Sequence, residues 1–202
     1  MNTHSAEKHS LILDAAQKRF AHYGPTKVTM DEIAGDLGMS KAALYYYFPA
    51  KEDVYREVIA REHREFFDRM QPILAKDKLA SEKLQDYFLH QLEHFNGLVN
   101  LKLIGRDAPQ NAKPIIGELF KQFGKAELKQ ISAILKQGRE CGEMTVTSVE
   151  KTSELIVHLL QGLRLLFARR NVHDPSGETT AYRSLEADVT LLAQTLLTGL
   201  LK

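Results

Sequence analysis

The sequence predicts an all-α fold, with an N-terminal three-helix head containing a helix-turn-helix and a larger C-terminal helical domain. Apolar residues recur three and four apart along most of the chain. Capping residues, glycine and proline mark where each run begins and ends, and no stretch alternates as a strand does. The expected domains are residues 1–53, which include the start of a connecting helix, and residues 54–202.

The first helix, from about Glu7 to Tyr23, places Ile12, Ala16, Phe20 and Tyr23 on one side and stops at Gly24-Pro25. A glycine can take the left-handed conformation there, and proline cannot continue a helix. Thr29 and Glu32 have the S/T-x-x-E spacing of a capping box, which pairs two otherwise orphaned amides and starts the second helix. Ile33 and Leu37 give that helix an apolar stripe, and Ala34 is small enough for a close crossing. Gly38 ends it, and Ser40 is a good N-cap for the third helix. There Leu44 and Phe48 form the buried side, leaving Lys41, Ala42, Tyr45 and Tyr46 on or beside the other. A glycine-containing turn of three to four residues between two short helices is the signature of a helix-turn-helix. The connecting helix runs from Lys51 to about Met70, with Val54, Val58 and Phe66 or Phe67 inward, and Pro72 helps end it. Ala50 cannot cap this helix; Glu52 and Asp53 partly compensate through the helix dipole.

After the solvated Lys76-Asp77-Lys78 segment, Ser81 is the expected cap of a helix whose Leu84, Phe88, Leu92, Phe95 and Val99 share a stripe. A short helix over 101–106 and a loop over 107–114 follow. The next helix carries Ile116, Leu119, Phe120, Phe123, Leu128, Ile131 and Leu135 and stops near Gly142. From Leu155 to Phe167 nearly every position is apolar, as in a helix covered on both sides, and Gly162 permits close approach. Beyond a loop over 172–178, Leu185, Val189, Leu192, Leu196 and Gly199 or Leu200 recur with a period near 3.5, the spacing of a helix–helix seam. Either pattern suits an intramolecular core or an interface between two copies.

With 202 residues and 44% hydrophobic composition, the chain is globular, and a net charge of +1 favours no polyelectrolyte partner. Acidic residues slightly outnumber basic ones over residues 1–60, so DNA binding rests on placement: Lys8, Lys27, Lys41 and Lys51 can gather on one side. The single cysteine, Cys141, excludes an intrachain disulfide, and a lone cysteine beside Gly142 reads as a small hydrophobe. No apolar run reaches membrane-spanning length and no signal-peptide core is present, so a cytoplasmic protein with no membrane partner is expected.

An enzyme is the competing class. His90-Gln91-Leu92-Glu93-His94 matches the H-x-x-E-H string of inverted zinc peptidases, in which two imidazoles share a metal and the carboxylate acts as base. Helical phase opposes this. Leu84, Phe88, Leu92 and Phe95 cluster on one side, and His90 and Glu93 are expected to point to solvent. Cys141 with the distant His158 is a weaker pair. The expectation is a non-enzyme without cofactor or metal.

The block from Ile12-Leu13-Asp14-Ala15-Ala16 through Phe20, Gly24, Thr29 to Ala34, Leu37 to Lys41 and Leu44 to Phe48, ending at Lys51-Glu52, resembles the TetR (tetracycline repressor) family of transcription regulators. The resemblance covers about a quarter of the chain. It implies that Ser40 caps a recognition helix, that Lys41, Ala42 and Tyr45 lie nearest the base edges, and that Thr29, Tyr46, Tyr47 and Lys51 touch phosphates. Hydroxyls and ammonium groups are usual backbone partners, and lysine can read guanine O6 and N7. It further implies a homodimer joined by a four-helix bundle, using Leu155, Leu159, Gly162, Leu163, Leu166, Leu185, Val189, Leu192 and Leu196, on a palindromic operator. A small apolar or aromatic effector would enter among Phe67, Phe88, Phe95, Leu103, Phe120, Phe123, Gln161 and Arg164 and release the repressor from DNA. The alternative within this class is an architectural DNA binder needing no effector.

Overall fold

The computed structural model describes residues 3–97, 113–170 and 178–201. Eight helices lie within them: α1 (Thr3–Tyr23), α2 (Met30–Asp36), α3 (Lys41–Tyr47), α4 (Lys51–Leu74), α5 (Ala80–Gly97), α6 (Lys113–Glu140), α7 (Val149–Arg170) and α8 (Glu178–Leu200). The chain packs as two compact units, Met1–His63 with Leu98–Leu119, and Arg64–Gly97 with Phe120–Lys202. The short helix expected over 101–106 and Leu103 lie outside the described residues.

In the first unit, Ile12, Leu13, Ala16 and Phe20 of α1 pack with Ile33, Ala34, Leu44, Phe48, Val54, Tyr55, Val58 and Ile59. Burial of such side chains contributes roughly 1.5–3 kcal/mol each, the dominant favourable term in a unit this small. Tyr23 departs from expectation: it is 54% exposed, because α1 reaches its Gly24 stop where the core ends. The Gly24 amide donates to the Phe20 carbonyl at 3.0 Å with φ +83°, the left-handed cap anticipated. Polar groups tie α1 to its neighbours. Arg19 holds Asp36 through two hydrogen bonds of 2.5 and 2.7 Å, and Arg61 reaches Asp14 at 2.7 Å.

The second unit is built on Phe66, Met70, Leu84, Tyr87, Phe88, Leu92, Phe123, Ile131, Ile134, Leu135, Ile156, Val157 and Leu160. Three expectations are corrected here. Pro72 sits inside α4, which continues two residues past it to Leu74, so proline falls within the last turn rather than beyond the helix end. Ser81 lies inside the first turn of α5; the Glu143 carboxylate accepts from the amides of Ala80 and Ser81, at 2.8 and 2.9 Å, and from the Ser81 hydroxyl. Cys141 is exposed, since α6 ends at Glu140 and Gly142 turns the chain with φ +77°. No strand forms among the described residues, but Met144 and Leu201 make an isolated antiparallel bridge that ties the end of α8 to the turn after α6.

Candidate nucleic-acid interface

The turn between α2 and α3 is set by local chemistry. Thr29 accepts from the Glu32 amide at 3.3 Å, and the Glu32 carboxylate takes back the Thr29 amide and hydroxyl, each at 2.8 Å. These bonds hold the Glu32 carboxyl below its ordinary range, the Thr29 amide contributing most. Gly38 adopts φ +60°, and the Met39 amide returns to the Ala34 carbonyl at 2.9 Å. Ser40 then accepts from the Ala43 amide at 3.2 Å and starts α3. Both caps fall where the spacing predicts them.

Leu44 and the C-cap residue Phe48 anchor α3 in the core, Ala43 and Tyr47 are half-buried, and Lys41, Ala42, Tyr45 and Tyr46 face outward. Tyr46 is 84% exposed and Tyr45 40%; Tyr47 is half-buried, with its ring edge-on to Tyr46 at 5.4 Å. Among the described residues, the tyrosine pair is thus left uncovered on a helix fixed by two buried anchors. Lys41 and Ala42 are exposed beside them. The Lys41 ammonium donates to Asp31 at 2.9 Å and lies 6.0 Å from the centre of the Tyr45 ring. The Asp31 hydrogen bond and charge push the Lys41 pKa up. Asp31 was not among the residues singled out by sequence. Its signal was available, because it stands in the first turn of α2, ten positions before Lys41 and across the turn from it.

Lys51, expected at a phosphate, also has partners within its own chain. It is half-buried, and its ammonium donates to the carbonyls of Val28 at 2.9 Å and Thr26 at 3.3 Å. It therefore pins the loop leading into the Thr29 cap, and at most one N–H remains for an outside partner. Sequence reasoning missed this because the acceptors are backbone atoms, which every residue carries.

The other expected site residues that are described lie in the second unit. Phe67 and Phe123 meet at 5.0 Å, and both rings touch Phe66. Gln161 stands beside Gly124, where a Cβ would approach its amide nitrogen to 3.0 Å, and Phe120 is half-buried. Phe88 is not part of this group: it lines a groove of about 60 Å³ with Leu89, Val189, Ala193 and Leu197. The side chains of Phe95, Arg164, Leu166 and Leu185 lie outside the described residues. His90 contradicts its expected solvent position, stacking on Phe66 with centroids 5.5 Å apart and 22° between planes. His94 packs on the same ring at 5.0 Å, whereas Glu93 is exposed. The imidazoles are thus aromatic core, and among the described residues no three metal-capable side chains converge. Tyr87, Gln91 and His94 are buried beside the Leu84 stripe, and none of them was expected in the core; Gln91 donates to the fully buried Glu127. Their spacing of four and three was visible.

On α7, Leu155 is 54% and Leu159 36% exposed, with Gly162 exposed on the same stripe and Leu163 half-buried beside it. On α8, Val189 and Ala193 are buried on the face that packs against α5, Leu192 and Leu196 are half-buried, and Leu191 is exposed.

Two capped helices joined by a glycine turn, with an exposed lysine, alanine and tyrosine pair on the second, define a helix-turn-helix DNA-binding protein. The chain belongs to the TetR family: the model described as bacterial regulatory proteins, tetR family, matches residues 12–58. A solved transcriptional regulator from Cytophaga hutchinsonii ATCC 33406 is 36% identical, with 96% of this chain and 99% of that one aligned at a TM-score of 0.83. The fatty acid metabolism regulator protein of Bacillus subtilis (strain 168) is 24% identical over 68% of this chain and 71% of its own. The Bacillus subtilis transcriptional regulator FadR, solved in complex with stearoyl-CoA, is 21% identical over 87% of this chain and 96% of that one, with a TM-score of 0.65. This chain is accordingly a DNA-binding transcriptional regulator, and its relatives are regulators, not enzymes. No described helix is long and apolar enough to cross a membrane.

Proposed function

We propose that this regulator is a homodimeric repressor that leaves a palindromic operator when a small apolar or aromatic effector binds its C-terminal helices. Residues 1–53 serve as the DNA-binding domain and residues 54–202 as the effector and dimerisation domain. The observation that carries the DNA half is the division of α3, with Leu44 and Phe48 buried while Tyr45 and Tyr46 face outward beside Lys41 and Ala42. In this reading Lys41, Ala42 and Tyr45 meet base edges, and Tyr46 and Tyr47 meet phosphates. Thr29 and Ser40 act mainly through their caps, and Lys51 through the loop it pins. The exposed stripe Leu155, Leu159 and Gly162 supports pairing of α7 between two copies, with α8 contributing Leu192 and Leu196. Large apolar side chains on one helix face are otherwise left to water.

For the effector, the aromatic group Phe66, Phe67 and Phe123 beside Phe120 and Gln161 supplies an apolar lining with a polar edge. The relative that holds stearoyl-CoA makes long-chain acyl thioesters the first class to try. Binding to α4 at Phe66 and Phe67 would bias the helix that continues into the head. An effector acts only through its differential affinity for the two states, so about 3 kcal/mol suffices for a hundredfold loss of operator binding. The test is to select duplexes from a randomised pool with purified protein, then titrate acyl-CoAs and aromatic acids against that complex. A palindrome whose complex is released by one of these classes is expected. Selection of no consensus sequence would overturn the regulator's operator reading, and release by none of them the effector class.

A further inference from the structure

Lys41 is the residue best placed to read a base, yet its ammonium is not free: Asp31 of α2 holds it at 2.9 Å, with the Tyr45 ring beneath at 6.0 Å. Both ends of the pair are more than half exposed, so it faces solvent, on the side of α3 that carries Tyr45. An ammonium has three N–H donors, and one on Asp31 leaves two, the number that guanine O6 and N7 accept. A lysine tethered in this way is oriented before it meets DNA, and its charge is balanced by a carboxylate that repels phosphate. Asp31 itself offers acceptor oxygens of the kind that take the cytosine N4 amino group in the major groove.

We infer that Asp31 is a specificity-determining residue that aims Lys41 at a G·C base pair and keeps its charge away from phosphates. The inference rests on the docking proposed above. It accounts for a feature otherwise unfavourable to a DNA-binding head, an acid beside the reading lysine, because specificity is gained when non-specific binding is made weaker. The raised Lys41 pKa agrees with the pairing.

The experiment measures Asp31→Asn, Lys41→Ala and the double variant in the full-length protein, against duplexes selected by the wild type, all their single-base variants, and a random-sequence duplex of 30 base pairs. Asp31→Asn should bind the random duplex about three- to tenfold more tightly, with a salt dependence steeper by about one released ion. It should also lose about tenfold discrimination at one G·C position, the position relaxed by Lys41→Ala. In the double variant the gain on random DNA should disappear, since no lysine remains to be freed. If Lys41→Ala alters binding but Asp31→Asn leaves the base profile intact, or if the random-duplex gain persists without Lys41, Asp31 has no such role. If Lys41→Ala changes nothing at any position, the docking itself is wrong and the inference falls with it.

Discussion

Tyr46 and Lys51, five positions apart, test the proposed docking in two different ways. Tyr46 is 84% exposed and touches little besides Tyr47, so Tyr46→Ala should leave stability to urea within about 0.5 kcal/mol while weakening DNA binding roughly tenfold, a loss of about 1.4 kcal/mol. Lys51 donates to two backbone carbonyls ahead of the Thr29 cap. Lys51→Ala should therefore cost about 1–2 kcal/mol of stability as well as affinity, because two acceptors lose their partner. Urea unfolding and fluorescence anisotropy on the same preparations separate the two cases. Equal stability in both variants would mean that the Lys51 hydrogen bonds contribute nothing.

Among the elements, α5 depends on a group outside it. Burial alone would raise the Glu143 carboxyl, but the Ser81 hydroxyl and the amides of Ser81 and Ala80 outweigh it and lower its pKa from the ordinary 4.5. A depressed carboxyl stabilises the fold above its unfolded value and ceases to do so as pH falls through the folded one. Wild type should therefore melt higher than Glu143→Gln at neutral pH, and the difference should shrink below pH 4.5. Thermal melts at a series of pH values check this; a gap that stays constant down to pH 2 would remove the carboxylate's role. Gly138 is the second dependence. A Cβ there would lie 2.6 and 2.9 Å from Sδ and Cγ of Met144 and 3.0 Å from the Ala80 Cβ. Gly138→Ala should destabilise by about 1–3 kcal/mol despite the better helix propensity of alanine, through overpacking. A variant more stable than wild type would show that Met144 moves aside freely.

At the scale of the whole molecule, assembly is the question, and exposure selects the residue with which to ask it. Leu159 lies on the exposed stripe of α7, so a charge there need not disturb the chain's own core. Leu159→Glu should fold normally yet sediment as a monomer and lose tight binding to a palindrome, since burying an unpaired carboxylate between copies costs several kcal/mol. Leu44→Glu should do the reverse, unfolding the head while leaving the dimer intact. A Leu159→Glu protein that remains a dimer would place the interface elsewhere.

The helix-turn-helix was legible from the residues alone. Its signals are local: Thr29 and Glu32 three apart, Gly38 as a stop, Ser40 as a cap, and Leu44 and Phe48 as anchors, all of which act within a turn or two of helix. Orientation was less accessible. From Leu155 onward apolar residues occupy more than one helix face, so periodicity alone could not say that Val189 and Ala193 turn inward, or that Leu155 and Leu159 remain exposed. The inward turn of Val189 and Ala193 was decided only by the packing of α8 on α5. The same holds for His90, drawn onto the Phe66 ring by a neighbour distant in sequence, and for the Asp31–Lys41 pair, made by the turn that brings two helix starts together. Caps are contacts between near neighbours and can be written in a short string of residues. Which face of a helix is buried, and which charge meets which, depends on partners that only tertiary folding supplies.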